Sequence, residues 1–295
     1  MTQNLVDSGD RYIGPNFTVG PLAYGLWRFT NTDTTAAQAL IETALDAGMN
    51  LIDTADIYGL GWGGTHFGQV EEILGQVLAA SPGLRERMVL ATKGGIMPPL
   101  PYDSSHNYLV EAVDKSLTRL QVDVIDLWQI HRPDMFTHPA QVAETLAMLR
   151  DQGKIREVGI SNHTIAQHDA LAKHLPFDIE TSQPEYSVLK LDPLRDGTFD
   201  ICMRDGVTPM AWSPLGGGRL FATGDDAPPA ALIELLDQLA EREGVDRAAI
   251  AYAFVLAHPS RPIAIVGTQT PERILGARDA LGTTCLLYTS DAADE

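Results

Sequence analysis

A regular alternation of short apolar runs and helix-period segments extends along almost the whole chain and most constrains its fold. The apolar runs lie near residues 19–26, 49–52, 88–91, 124–130, 155–160, 178–183, 207–212 and 262–266. Between them, apolar residues recur at helical spacing, as in Val70, Ile73, Leu74 and Val77. Strands separated by helices form parallel sheets, and about eight such units are typical of one closed (β/α)8 barrel of the TIM type. The sequence therefore predicts an α/β fold built as a TIM barrel.

The ends of the chain allow further predictions. A small β-hairpin centred on Gly14 is expected before the barrel, within residues 12–19. The first barrel helix is predicted from a capping box of Thr35 and Gln38. An open doubly wound sheet is the alternative fold, but it calls for a G-x-G-x-x-G turn after the first strand, which the sequence lacks. Residues 1–283 are predicted to form one domain, and residues 284–295 an atypical, poorly packed tail without helical period.

Composition excludes several classes of protein. The 295 residues are 44% hydrophobic and carry a net charge of −18, which disfavours binding to nucleic acid and to anionic membranes. No apolar segment reaches the roughly 18 residues of a membrane helix, and the N-terminal residues lack a secretory pattern. The two cysteines, Cys202 and Cys285, offer no disulfide framework. A cytosolic, monomeric protein without a metal site is the expectation.

Polar residues end the predicted strands. Active sites of such barrels lie at the carboxyl ends of the strands, so these residues are the candidates for function. In chain order they are Asp53 with Tyr58 five residues on, Lys93, His131, Ser161 with Asn162, Gln183, Trp212 with Ser213, and Gly267 with Thr268.

Four of these side chains suggest a proton-transfer mechanism. The phenol of Tyr58 is a weak acid near neutrality, and the ammonium of Lys93 is expected to lower its pKa. The carboxylate of Asp53 would keep Lys93 charged, and His131 would polarise a substrate carbonyl. Each residue alone has an ordinary structural explanation as a cap, a turn or a surface residue. Their joint position at the ends of three successive strands favours a common role.

At this point the sequence resembles the aldo-keto reductase family, over roughly residues 20–281. The matching segments are GMNLIDTADIYG, EEILG, ATKGG, DLWQIHRPD, GKIREVGISNH, QPEYS, AWSPLGGGRL and VGTQTPERI, and they occur in the family's order. The segments HRPD and SPLGGGRLF are most similar to a bacterial subgroup of small reductases. The resemblance implies an NADPH-dependent oxidoreductase, with NADH possible as cofactor, that reduces a small carbonyl. In it Tyr58, Asp53, Lys93 and His131 form the catalytic tetrad, and Tyr58 is the proton donor.

The same resemblance implies a set of cofactor contacts. Ser161, Asn162 and Gln183 match the residues that bind the nicotinamide carboxamide, and Trp212 takes the place of the aromatic ring, more often tyrosine, that stacks on the nicotinamide. The pyrophosphate loop is matched by Ser213, Leu215, Gly217 and Gly218, with Arg219 as a possible source of charge. The mouth of the site is matched by Gly25, Leu26 and Trp27, beside Asp53.

The last strand leads to the expected adenosine-phosphate site. Gly267, Thr268 and Gln269 precede Pro271, a helix-start residue, and helix N-termini bind anions. By resemblance Arg273 binds the 2′-phosphate, which favours NADPH over NADH. Gly267 stands where the family often has a basic residue, and 276–277 replace a common Glu-Asn pair.

The substrate is not readable from the sequence, although Trp27 and Trp128 are expected to shape its pocket together with Tyr58 and His131. Two other functions stay open. A barrel lysine such as Lys93 can form a Schiff base in aldolases and lyases. A reductase-like barrel can also bind cofactor as a weakly active regulatory subunit.

Overall fold

The computed structural model describes residues 5–30, 33–61 and 63–284. Within them, eight parallel strands close into a barrel in which the last strand pairs with both the first and the seventh. This closure confirms the predicted (β/α)8 barrel and excludes the open sheet. The barrel strands are β3 (Leu22–Gly25), β4 (Leu51–Asp53), β5 (Val89–Gly94), β6 (Ile125–Ile130), β7 (Ile155–Ser161), β8 (Thr181–Gln183), β9 (Thr208–Ala211) and β10 (Ile263–Val266).

Helices surround the barrel. They are α1 (Thr34–Asp46), α2 (Gln69–Ala80), α3 (His106–Leu120), α4 (Pro139–Asp151), α5 (Ile165–Ala172), α6 (Thr198–Asp205), α7 (Ala230–Glu243), α8 (Arg247–Leu256) and α9 (Pro271–Gly276). Short 3-10 turns lie at Pro82–Arg87, Asp192–Leu194, Gly216–Phe221, Gly224–Asp226 and Ala277–Gly282.

The predicted hairpin is present as β1 (Arg11–Ile13) and β2 (Phe17–Val19), which pair antiparallel around Gly14. Gly14 has φ of +57°, the left-handed conformation that a tight turn requires. Ile13 and Val19 are fully buried and belong to the same apolar cluster as residues of the barrel interior. The hairpin therefore plugs one end of the barrel.

Residues along each barrel strand alternate between two apolar clusters. Leu51, Ala91 and Leu127 belong to the interior cluster, whereas their neighbours Ile52 and Trp128 pack in the outer layer between strands and helices. Side chains two residues apart lie on the same face of a strand. Inward-facing positions can therefore be followed from the apolar interior to the polar end of the barrel.

The start of α1 differs from the prediction. The side chain of Asp33 accepts hydrogen bonds from the backbone N–H groups of Thr35 and Ala36, at 2.9 and 3.2 Å, so Asp33 is the N-cap. Gln38 hydrogen-bonds Glu42 instead of the backbone. The predicted capping box of Thr35 and Gln38 is wrong, because a carboxylate upstream accepts from the first turn and complements the helix dipole.

The predicted tail falls, from residue 285 onward, outside the described residues. The backbone of Thr284 hydrogen-bonds the side chains of Glu243 and Arg242 on α7, at 3.0 and 3.1 Å. None of the described helices has both the length and the apolar content that a membrane crossing requires.

Candidate active site

The predicted charged pair forms at the ends of neighbouring strands. Asp53 is the last residue of β4 and pairs with Ala91, two residues before Lys93 on β5. Because β4 and β5 are parallel and in this register, both side chains point into the barrel at its polar end. Nζ of Lys93 lies 2.6 Å from Oδ2 of Asp53 and also donates to the carbonyl of Thr54 at 2.8 Å. Both side chains are almost fully buried, so each charge needs the other as its counter-charge.

Tyr58 lies beside this pair. A turn after β4, closed by the bond from Tyr58 N–H to the carbonyl of Ala55 at 3.1 Å, returns the phenol to the barrel mouth. The Lys93 nitrogen lies 5.2 Å from the centre of the phenol ring, close enough for its charge to act on the phenol.

Burial and two neighbouring charges act on the pKa of Tyr58 in opposite directions. Burial raises the pKa of Tyr58, and the charge of Asp53 raises it further, while Lys93 lowers it. Lys93 thus lowers the pKa as expected, but burial outweighs this effect and the net change is upward from 10.0. The Asp53 carboxylate cancels much of the field of Lys93, and desolvation disfavours the phenolate. Tyr58 therefore holds its proton at neutral pH, as a proton donor must.

His131 completes the group of four. It follows the last residue of β6, and its backbone N–H donates a hydrogen bond to the carbonyl of Gly94 at 2.8 Å. Its ring meets that of Tyr58 edge to face, with centres 5.8 Å apart. Burial, Lys93 and Arg132 together lower the pKa of His131 well below 6.5, so the imidazole is neutral. A neutral imidazole can donate a hydrogen bond to a carbonyl oxygen without competing for the proton of Tyr58.

These four side chains stand at a cavity of about 920 Å³ at the carboxyl ends of the strands, which Asp53, Tyr58 and His131 help to line. Most predicted cofactor residues also line it: Gly25, Trp27, Ser161, Asn162, Gln183, Trp212, Ser213, Leu215, Gly217, Gly218, Gly267, Thr268 and Arg273. Five predicted site residues do not line this cavity, namely Leu26, Lys93, Trp128, Arg219 and Gln269. Leu26 is fully buried, and Nε of the exposed Arg219 donates to the carbonyl of Gly216 at 3.2 Å.

The cavity wall fits a dinucleotide. Nε1 of Trp212 donates to the side-chain oxygen of Asn162 at 3.0 Å, which fixes the indole and the amide as one polar and aromatic wall. Gly217 and Gly218 have φ of +68° and +98°, and a Cβ at Gly218 or Gly267 would meet no atom within 4 Å. Open backbone of this kind suits phosphate oxygens, which accept from N–H groups at close range. The residues present are therefore suited to a nicotinamide at one end and phosphates at the other.

Comparison with known proteins decides the family. The model of the aldo/keto reductase family matches residues 21–286, nearly the whole chain. The chain belongs to the aldo/keto reductase family. It is 51% identical over 265 residues to 6-dehydroglucose reductase of Novosphingobium aromaticivorans, covering 89% of this chain and 86% of that protein. The 6-dehydroglucose reductase of Agrobacterium fabrum is 36% identical, covering 89% of each chain. Among solved structures, glycerol dehydrogenase of Gluconobacter oxydans superposes with a TM-score of 0.83 at 28% identity, covering 97% of this chain and 94% of the other.

Trp128 lies elsewhere in this aldo/keto reductase than the sequence suggested. Its side chain is fully buried in the outer apolar layer, where it packs close to Gly94, and it does not line the cavity. The reason is strand alternation, since Leu127 and Gln129 face the barrel interior and the residue between them faces outward. The expectation that Trp128 shapes the substrate pocket is thereby corrected, whereas Trp27 does line the cavity.

Sequence reasoning missed three residues of this reductase site. Gln129, two positions after the inward-facing Leu127, donates to Oδ1 of Asp53 at 3.2 Å, and strand alternation would have found it. Arg132 and Arg28 line the cavity next to predicted site residues. Arg28 donates to the carbonyl of Gly217 at 2.9 Å, a bond between two loops far apart in the chain that no local sequence signal reveals.

Proposed function

We propose that this chain reduces a small aldehyde or ketone to the alcohol with NADPH, and that Tyr58 is the proton donor. The observation that carries the proposal is the convergence of Tyr58, Lys93, Asp53 and His131 at one end of the cavity. Family membership supports carbonyl reduction in general. The roles of the individual residues rest on their geometry.

The proposed division of labour follows from charge. Bound NADPH supplies the hydride that forms the new C–H bond at the carbonyl carbon, as the C=O π electrons move to oxygen. The phenol of Tyr58 gives its proton to that oxygen, and the ammonium of Lys93 stabilises the phenolate left behind. Asp53 holds Lys93 charged, and the neutral ring of His131 donates a hydrogen bond that orients the carbonyl. A proton from solvent restores Tyr58.

Preference for NADPH is proposed from the far end of the cavity. Arg273 lines it in the first turn of α9 and brings a positive charge to that end. A guanidinium binds a phosphate monoester by two parallel hydrogen bonds, which NADH would leave unmade.

The names of two relatives favour a sugar-derived aldehyde as the first substrate to test, because both are 6-dehydroglucose reductases. A monomeric state and a cytosolic location stay predictions.

A Schiff-base mechanism fits the structure less well. Lys93 would have to be neutral to attack a carbonyl. Burial lowers the pKa of Lys93, but the charge of Asp53 and its hydrogen bond to Lys93 raise it, and the net change is upward from 10.5. Borohydride trapping of a covalent adduct on Lys93, in the presence of carbonyl substrates, would favour this alternative.

The proposal is tested by NADPH oxidation against aldehydes, ketones, quinones and sugar aldehydes including 6-dehydroglucose. We expect turnover of at least one class, and we expect Tyr58→Phe to reduce kcat by at least about 100-fold, the contribution typical of a positioned acid. The Kd for NADPH should stay close to that of the wild type, because the ring is kept and only a hydroxyl is lost. NADPH binding without turnover of any carbonyl would favour the regulatory alternative. Loss of NADPH binding in Tyr58→Phe would contradict the assigned role.

A further inference from the structure

The charged side chains at the end of the cavity lined by Tyr58 and His131 have a net positive charge. Asp53 and Lys93 neutralise each other, the phenol of Tyr58 is protonated, and the imidazole of His131 is uncharged. The four groups together carry no net charge. Arg132 stands beside them and adds one positive charge, in a protein whose net charge is −18.

Arg132 lies close to the group of four because it is next to His131 in the chain. It directly follows His131 at the end of β6, lines the cavity and is half-buried. The carbon of its guanidinium lies 5.9 Å from the centre of the Trp212 ring. Its positive charge contributes to the lowered pKa of His131 and opposes the rise in the pKa of Tyr58.

Arginines elsewhere in the protein show how such a charge is normally compensated. Arg119, Arg150 and Arg85 are shielded to a similar degree, and each has a carboxylate within 3.2 Å, on Glu71, Glu157 and Asp126 respectively. For Arg132, no carboxylate in residues 5–30, 33–61 or 63–284 forms an ion pair. Since a partly desolvated charge is costly without a counter-charge, a ligand that brings one gains free energy there.

We propose that Arg132 selects carbonyl substrates that carry an oxyanion, a carboxylate or a phosphate, a few bonds from the reacting carbon. This inference rests on the proposed reductase function and specifies its substrate class. The planar fork of a guanidinium matches the two oxygens of such a group, and charge-assisted hydrogen bonds are about twice as strong as neutral ones. A neutral diol offers the same spacing of oxygens but leaves the positive charge uncompensated.

Matched pairs of substrates test the proposal. Succinic semialdehyde is compared with butanal, and glyceraldehyde 3-phosphate with glyceraldehyde, in wild type, Arg132→Gln, Arg132→Lys and the control Arg195→Gln. Arg195 is exposed and does not line the cavity. The readout is the ratio of kcat/KM for the anionic and the neutral member of each pair, in which effects of Arg132 on the shared chemistry cancel.

We expect a ratio of at least about tenfold in favour of the anion in wild type and in Arg195→Gln, for one or both pairs. The pair that shows it distinguishes a carboxylate from a phosphate. The ratio should fall close to one in Arg132→Gln and take an intermediate value in Arg132→Lys, which keeps the charge but loses the fork. A ratio near one in the wild type, or one unchanged by Arg132→Gln, overturns the proposal. A preference for glyceraldehyde over butanal that Arg132→Gln abolishes, while neither anion is favoured, also overturns it, because the guanidinium would then bind hydroxyl groups.

A binding measurement separates this inference from the reductase function. Succinate and inorganic phosphate are titrated into the NADPH-loaded protein, and the fluorescence of the bound nicotinamide is followed. Tighter binding of either anion to wild type than to Arg132→Gln supports an anion site even if no carbonyl is turned over. Equal binding to both proteins counts against it, whatever the turnover assay shows.

Discussion

The side-chain nitrogen of Gln183 donates a hydrogen bond to Oδ1 of Asp53 at 3.0 Å, while Oδ2 of the same carboxylate holds Lys93 at 2.6 Å. Gln183 ends β8 and lines the cavity, whereas Asp53 ends β4 on the other side of the barrel. A residue expected to contact the cofactor is thus linked through one carboxylate to the lysine beside Tyr58. Gln129 donates to the same oxygen from β6 without lining the cavity.

This geometry makes Gln129 a matched control for Gln183. Both Gln183→Leu and Gln129→Leu should lower the free energy of unfolding by about 1–3 kcal/mol, because each leaves a buried acceptor with one partner fewer. Only Gln183→Leu should also weaken NADPH binding, by roughly tenfold. Urea denaturation and fluorescence titration with NADPH measure the two effects. Equal weakening of NADPH binding by both variants would show that Gln183 acts only through Asp53.

The buried pair of Asp53 and Lys93 predicts strong coupling. Asp53→Asn leaves the ammonium of Lys93 without a counter-charge, and Lys93→Met leaves the carboxylate of Asp53 without one. Each should cost about 3–5 kcal/mol of unfolding free energy. The double variant Asp53→Asn/Lys93→Met should be destabilised by clearly less than the sum, because no lone charge remains. Urea denaturation of the four proteins gives the coupling, and strict additivity would mean that the two groups do not neutralise each other.

The proposed 2′-phosphate contact predicts a change in cofactor preference. Arg273→Ser should raise the Kd for NADPH by about tenfold or more, since a charge-assisted contact is lost, and change the Kd for NADH little. Arg278→Ser is the control, because Arg278 is exposed in the 3-10 turn that follows α9 and does not line the cavity. The same loss of affinity for NADPH and NADH would place Arg273 away from the 2′-phosphate.

A buried carboxyl behind the site predicts a pH-dependent stability. Asp56 accepts a hydrogen bond from the hydroxyl of Tyr108 at 2.8 Å, and its Oδ1 has no partner among the described residues. Burial and the nearby Glu71 raise the pKa of Asp56 from 3.8 to about 8. Between these two values the folded protein keeps the proton and the unfolded chain has lost it, so stability falls as pH rises from about 4 to about 8.

Asp56→Asn removes this titration while keeping the shape of the side chain. The variant should therefore be more stable than the wild type at pH 8, by about 1 kcal/mol or more, and the difference should shrink toward pH 5. Thermal or urea denaturation across this range measures it. A stability difference that does not vary with pH would show that Asp56 has an ordinary pKa.

Strand alternation separates the predictions that succeeded from those that failed. The inward-facing series that begins with Leu51, Ala91 and Leu127 continues to Asp53, Lys93 and Gln129, so residue spacing along each strand decides which side chains converge. Choosing residues by their place at strand ends found Asp53 and Lys93. Because the sequence-based prediction did not use alternation, it placed Trp128 at the cavity and overlooked Gln129.

The sequence by itself determined the order of the elements, the closed barrel and the polar strand ends, because these follow from local periodicity and from the short connections between strands. Only the tertiary structure decided how the charges add. Electrostatic energies depend on distance and desolvation, which residues far apart in the chain set jointly. Asp53 therefore cancels much of the effect of Lys93 on Tyr58, and Arg132 keeps a charge that nothing in the described part of the chain neutralises.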